Sequence, residues 1–383
     1  MKTNARVHLK REDHNILSLR HLYEQFGYVH YKMNKFEEYD LYVTNKDFLA
    51  DSNIITFTDT NGKLLALKPD VTLSIVKNYR DTPGMVQKVY YNENIYRPSK
   101  STKTYKELMQ MGLECIGTLD TYHISEVLVL AAKSLETVSE RYILDVSHMG
   151  IIRGFLDALR LKPKHEEKFL TMLREKNCHG IGALFDSLKI EPELREKAIT
   201  LASTYGLMDH VLPVLESICL NPVMDQAVEQ LSQICDTLLR QGFGNIHLDF
   251  SIEGDMAYYN GILFRGYIDG IPSSVLSGGQ YDDLMEKMGK PSEAIGFAIN
   301  MALLDSYETV QEDYDVDVLL LYGEADDGSQ ASTADALDCA EVMAAVTKLI
   351  DQGYTVQAQR QIPEKLNVRK RMRLQNGEVK EID

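Results

Sequence analysis

Apolar positions along this chain recur with two periods, helical in some segments and alternating in others. Over residues 13–26, Ile16, Leu19, Leu22, Tyr23 and Phe26 share one helical face, with Asp13 placed to cap the start and Gly27 suited to the stop. Residues 28–33 then alternate as a strand does. Asn61-Gly62 between the apolar runs 54–58 and 64–67 is a hairpin signal. Pro69 suits a helix start, with Asp70 and Thr72 in the first turn and Leu73, Val76 and Tyr79 behind. Residues 86–91 and 105–116 predict two strands around the polar loop 98–104. A helix over 124–138 and a strand over 142–146 follow.

From about 154 to 240 helical periodicity takes over, with breaks expected at Gly180, Pro192, Gly206 and Pro222. This pattern predicts a helical insertion into an α+β core. Strands resume over 246–252, 262–268, 273–276 and 294–299. An acidic stretch over 308–314 marks a boundary, giving a core over 1–312 and a small C-terminal α/β domain over 313–383. In that domain a strand (316–321), a helix (334–351) and a strand (355–359) precede a basic stretch with Lys365, Arg369, Lys370, Arg371 and Arg373.

Composition narrows the class. A chain of 383 residues with 44% hydrophobic and 26% charged residues is ordinary globular protein with room for two or three domains. Its net charge of −16 argues against nucleic acid, whose binding rests on Lys and Arg contacts to phosphate. The five cysteines form no CxxC pair, so neither a zinc knuckle nor a redox motif is expected, and free thiols suit a reducing cytoplasm. No signal peptide and no membrane span is expected. Gly242-Phe243-Gly244 continues to His247 rather than a third glycine, so it is no dinucleotide loop. No P-loop, paired-histidine metal spacing or GxSxG elbow occurs, and no cofactor or metal is expected.

Two separated segments carry the remaining chemistry. The first runs through Asp70-Val71-Thr72, Ile95-Tyr96-Arg97-Pro98 and Gln110-Met111-Gly112-Leu113-Glu114. The second runs through Asp255-Met256-Ala257-Tyr258-Tyr259-Asn260-Gly261 and Gly278-Gly279-Gln280-Tyr281-Asp282. These segments are similar to the catalytic core of histidyl-tRNA synthetases, over roughly residues 7–304. The resemblance implies a class II aminoacyl-tRNA synthetase-like fold: an antiparallel sheet core with a helical insertion. It also implies an L-histidine pocket. Asp70, Thr72 and Gln110 would hold the ammonium, and Glu114 and Tyr259 would read the imidazole. Arg97, Tyr258 and Tyr281 would complete the wall. Asp70 is one carbon shorter than the family's usual glutamate. Each residue also has an ordinary reading: Asp70 and Thr72 as first-turn residues, the tyrosines as packing, the glycines as a tight turn and Glu114 as a solvent-facing strand residue.

Adenylation needs arginines on the ATP phosphates. Arg97 is kept, but the family's other arginine positions hold Gly254, Leu303, Lys106 and Gln280. This pattern of losses resembles the regulatory subunits of ATP phosphoribosyltransferase, which are synthetase paralogues. It implies a chain with no catalytic residues that senses histidine, pairs with a short-form ATP phosphoribosyltransferase catalytic subunit, and dimerises through the 13–26 helix and the strand after it. A working synthetase or another amino-acid-adenylating enzyme is the competing reading. The end of the chain, through Gly377-Glu378-Val379-Lys380, resembles a shortened anticodon-binding domain.

Overall fold

The structure, a computed structural model, describes residues 11–49, 53–82, 84–99, 102, 104–252, 258–305, 314–322, 339–363, 365–375 and 377–382. They fall into two compact units, the larger over Arg11–Tyr307. Helix α1 (Arg11–Gln25) buries Leu19 and Tyr23 completely and ends before Gly27, whose φ of 82° suits glycine. The alternating stretch after it forms only a two-residue strand, β1 (Val29–His30), paired parallel to a single neighbour. Strand β2 (Phe36–Glu38) and helix α2 (Tyr39–Thr44) lead to the hairpin of β3 (Thr56–Thr58) and β4 (Leu64–Leu67). Its turn is closed by the Asp59 carboxylate, which accepts the Asn61 and Lys63 amides, each at 2.8 Å.

Helix α3 (Thr72–Asn78) begins later than Pro69 suggested. The Lys68 carbonyl accepts the Tyr96 amide at 2.8 Å and the Pro69 carbonyl accepts Arg97 Nε at 2.6 Å. These bonds hold the chain extended until Asp70 accepts the Leu73 amide at 3.0 Å. Strand β5 (Gln87–Pro98) runs past Tyr91 through polar residues and forms a long hairpin with β6 (Tyr105–Gly117). Helix α4 (Thr121–Val138), capped reciprocally by Asp120 and His123, packs over the sheet before β7 (Tyr142–His148).

The helical insertion comprises α5 (Met149–Leu159), α6 (Pro163–Arg174), α7 (Cys178–Leu188), α8 (Pro192–Ser203), a short β8 (Tyr205–Leu207), α9 (Met208–Ile218) and α10 (Pro222–Arg240). Gly180 is no break. It lies inside α7, and its amide donates to the Asn177 cap at 2.8 Å. Phe155, Phe169 and Phe185 pack in series, with ring centroids 6.1 and 5.6 Å apart. Each such fully buried ring contributes roughly 1.5–3 kcal/mol.

Strands β9 (Ile246–Asp249), β10 (Ile262–Ile268), β11 (Leu276–Gln280) and β12 (Glu293–Asn300), with α11 (Asp282–Lys287) and α12 (Met301–Asp305), complete the unit. Its nine-stranded sheet runs β1-β5-β6-β12-β11-β10-β7-β9-β8. The pairs from β5 to β7 are antiparallel, and parallel pairs β1–β5 and β7–β9 make the sheet mixed. The strand expected over 273–276 is displaced to Leu276–Gln280. Gly278 and Gly279 therefore sit inside β11, facing Phe297 and Gly296, rather than in a turn. One large core joins the sheet to α1, α4 and the insertion, while a second gathers Tyr42, Leu73, Val76, Tyr91 and Tyr281.

The smaller unit holds β13 (Val316–Tyr322), α13 (Cys339–Asp351) and β14 (Val356–Gln359), joined by β15 (Val368–Gln375) and β16 (Glu378–Ile382) in the order β14-β13-β15-β16. The last two strands occupy and follow the basic stretch that sequence patterning left without structure. The start of the helix expected from 334, and most of the acidic boundary, lie outside the described residues.

Candidate functional site

Side chains alternate along a strand, so Gln110, Gly112 and Glu114 share one face of β6. Register then sets their neighbours: Glu114 opposite Gly296 on β12, and Gly112 opposite Tyr91 on β5. A Cβ built at Gly296 would overlap Oε2 of Glu114, so the bare glycine makes the space that the carboxylate occupies.

Glu114 is only 2% exposed. The Thr72 hydroxyl donates to its Oε1 at 2.7 Å and the Tyr281 hydroxyl to its Oε2 at 2.6 Å. Burial pushes its carboxyl up to about 8, against the two hydroxyls, which favour the anion. Beside it, Asp70 is also raised by burial, opposed by Arg97 and by the Leu73 amide. Arg97 reaches Asp70 at 3.4 Å while its Nε bonds the Pro69 carbonyl.

Three tyrosines, Tyr258, Tyr259 and Tyr281, form another part of the wall. The Tyr258 and Tyr259 rings meet edge to face at 4.5 Å between centroids, and Tyr258 lies 6.0 Å from Tyr281 and 5.7 Å from Phe48. Their loop is tied from behind. Asn260 donates to Asp282 at 2.8 Å and accepts the Asp282 amide, while Arg153 donates to the Tyr259 carbonyl and to Asp283.

All eight residues singled out in the sequence, Asp70, Thr72, Arg97, Gln110, Glu114, Tyr258, Tyr259 and Tyr281, line one cavity of about 240 Å³. Sequence reading missed Asp47, Phe48, Tyr91 and Ser277 on the same wall. Tyr91 could have been found from the β5–β6 register; the Asp47–Phe48 turn carries no motif. Among the described lining residues, three carboxylates face one arginine. Asp47 is paired with Lys287 at 3.0 Å, whose ammonium lies over the Phe48 ring. Such a cavity suits a small ligand with an ammonium and a ring bearing N–H groups, and disfavours a polyphosphate. Among the described residues no cluster of His, Cys, Asp or Glu is arranged to hold a metal, and no helix is long and apolar enough to cross a membrane.

Three of the positions at which the resemblance implies arginine and this chain carries another residue lie among the described residues. Leu303, on α12, packs against the main core. Gln280 is buried, and its side-chain oxygen accepts the Ile262 amide at 2.8 Å. Lys106 is exposed on β6 opposite Arg97. Gly254, like Asp255, Met256 and Ala257, lies outside the described residues.

The family profile for histidyl-tRNA synthetase matches residues 7–304. An ATP phosphoribosyltransferase regulatory subunit of Oceanobacillus iheyensis is 26% identical over 75% of this chain and 71% of its own length. That of Acetivibrio thermocellus is 27% identical, over 80% and 75%. A crystal structure from Bacillus halodurans, described as an ATP phosphoribosyltransferase regulatory subunit/histidyl-tRNA synthetase, superposes with a TM-score of 0.73 at 20% identity, covering 94% of this chain and 92% of that one. Histidyl-tRNA synthetase from Nostoc gives 0.74 at 15% identity, covering 97% and 93%. The fold is thus the class II synthetase α+β fold, with a large mixed sheet and a small second sheet. On the extent of the profile match, the chain belongs to the histidyl-tRNA synthetase family.

Proposed function

We propose that this chain is a non-catalytic regulatory subunit of ATP phosphoribosyltransferase in histidine biosynthesis. It senses L-histidine in the cavity and is required by a short-form catalytic subunit. The observation that carries this is the cavity wall: ammonium and ring partners are assembled, and Arg97 is the one cation among the described lining residues. Asp70, Thr72 and Gln110 take the ammonium; Glu114 and Tyr259 take the imidazole, within walls formed by Arg97, Tyr258 and Tyr281. The similarity to regulatory subunits of comparable length supports the assignment. A Thermotoga maritima ATP phosphoribosyl transferase complex shares the fold over 76% of this chain and 97% of the matched one, with a TM-score of 0.60, at 19% identity.

The same reading places the protein in the cytoplasm, without cofactor or nucleic acid. It pairs with a second copy through α1 and β1, where Leu17 and Val29 are exposed. Residues 313–383 are then a degenerate anticodon-binding-like domain without that role.

Catalysis is the decisive contrast. Losing one donor to a developing charge costs about 3–4 kcal/mol, and two are replaced here by Leu303 and Gly254. Histidine-dependent ATP–pyrophosphate exchange should therefore fall at least about ten-thousandfold below a synthetase's rate. Exchange at an ordinary synthetase rate would establish the adenylating enzyme instead.

A further inference from the structure

Glu114 is a buried acid without a cation of its own. Each oxygen accepts one hydroxyl, from Thr72 and from Tyr281, leaving two of about four acceptor sites open. No ion pair to Glu114 forms among the described residues, and Arg97 is committed to Asp70 and the Pro69 carbonyl. The titratable and charged groups lining the cavity with Glu114 are Asp47 (paired with Lys287), Tyr91 and Arg97 from β5, Asp70 before α3, Tyr258 and Tyr259 from their loop, and Tyr281 before α11. On β12 Glu114 stands opposite Gly296, and the β12 residues lining the cavity, Gly296, Phe297 and Ala298, carry no titratable group. Burial holds all four tyrosines above their usual range, so they stay neutral near pH 7.

We infer that Glu114 and the ring of bound histidine hold a single proton between them, so the pocket takes its ligand as a one-proton pair. This rests on histidine being the ligand. A bare carboxylate against a neutral ring leaves a buried negative charge uncompensated. A protonated acid against an imidazolium leaves a buried positive charge and turns two donors on each other. One proton gives a neutral pair, whether it sits on the carboxyl oxygen or on the ring nitrogen. Moving it between them needs no other reactant.

The free carboxyl, raised to about 8, and a free ring near 6.5 together carry about one proton at pH 7.2 and about two at pH 5.5. Calorimetric titration of L-histidine into the full chain, in two buffers of different ionisation enthalpy at each pH, counts the protons exchanged. Expected are about none at pH 7.2 and about one released at pH 5.5, with affinity about tenfold weaker at the lower pH. Release of a full proton at pH 7.2 would overturn the inference in favour of the bare carboxylate. No exchange at pH 5.5 would overturn it in favour of the doubly protonated pair. Either result leaves histidine binding itself intact, whereas absence of binding in equilibrium dialysis sinks the functional reading and the inference together. Carbon-13 NMR of the unliganded chain fixes the starting count. The glutamate carboxyl signal absent from Glu114→Gln should titrate above pH 7. With a midpoint below about 5, a one-proton pair would instead take up about one proton at pH 7.2, and absence of that uptake would overturn the inference.

Discussion

Glu114→Ala is expected to weaken histidine binding by about tenfold to a hundredfold, or roughly 1.5–3 kcal/mol. The substitution removes the acid that faces the ring and also strips the Thr72 and Tyr281 hydroxyls of their acceptor. The fold should survive, because removing a buried acid held near neutrality relieves desolvation as well as losing bonds. Calorimetry measures the affinity and circular dichroism the fold. Wild-type affinity in a folded variant would remove Glu114 from the site.

Gly296→Ala should act more severely through a single methyl group. The added Cβ would overlap Glu114 Oε2 and stand 2.5 Å from the Leu113 carbonyl oxygen. The carbonyl cannot retreat, since β12 is bonded in register to both β6 and β11. Either Glu114 is expelled from its place or the strands separate. Overpacking of this kind costs about 1–3 kcal/mol of stability. Histidine affinity should fall by about a hundredfold or more, since the acid no longer stands between Thr72 and Tyr281. Gly244→Ala is the control: a Cβ there meets nothing within 4 Å, and binding should be unchanged. Equal affinity in Gly296→Ala and wild type would show that the carboxylate can stand elsewhere.

Much of this architecture is legible in the chain because period and punctuation agree. The strand Ile262–Ile268 and the Asp59–Lys63 hairpin turn are read directly, since apolar residues and turn residues fall where local geometry needs them. Errors arise where a tertiary bond overrides local preference. Pro69 looks like a helix start, yet Tyr96 and Arg97 hold residues 68 and 69 extended. Polar Asn92, Glu93 and Asn94 lie beyond the strand expected over 86–91, yet they pair across to Met111, Gln110 and Met109. Strand β15 carries Arg369, Arg371 and Arg373, a pattern that patterning alone does not assign to a sheet. The eight pocket positions come from a family resemblance, not from periodicity. What no local signal contains is their convergence, or the need for Gly296 to be bare, because both depend on the register of β6 against β12.

The most direct test of the account uses the assembled complex. This chain is co-expressed with a short-form ATP phosphoribosyltransferase catalytic subunit, and phosphoribosyl transfer is assayed over a histidine titration, with wild type and with Glu114→Ala. The coupling is a free energy between two sites: histidine must prefer one state of the complex and the partner's substrates the other, typically by about 1–3 kcal/mol. The catalytic subunit should be active only with this chain. Histidine should inhibit the wild-type complex, and the Glu114→Ala complex should stay active while its inhibition moves to about tenfold to a hundredfold higher histidine. A fully active Glu114→Ala complex with unchanged sensitivity to histidine would place the inhibitory site elsewhere and contradict it.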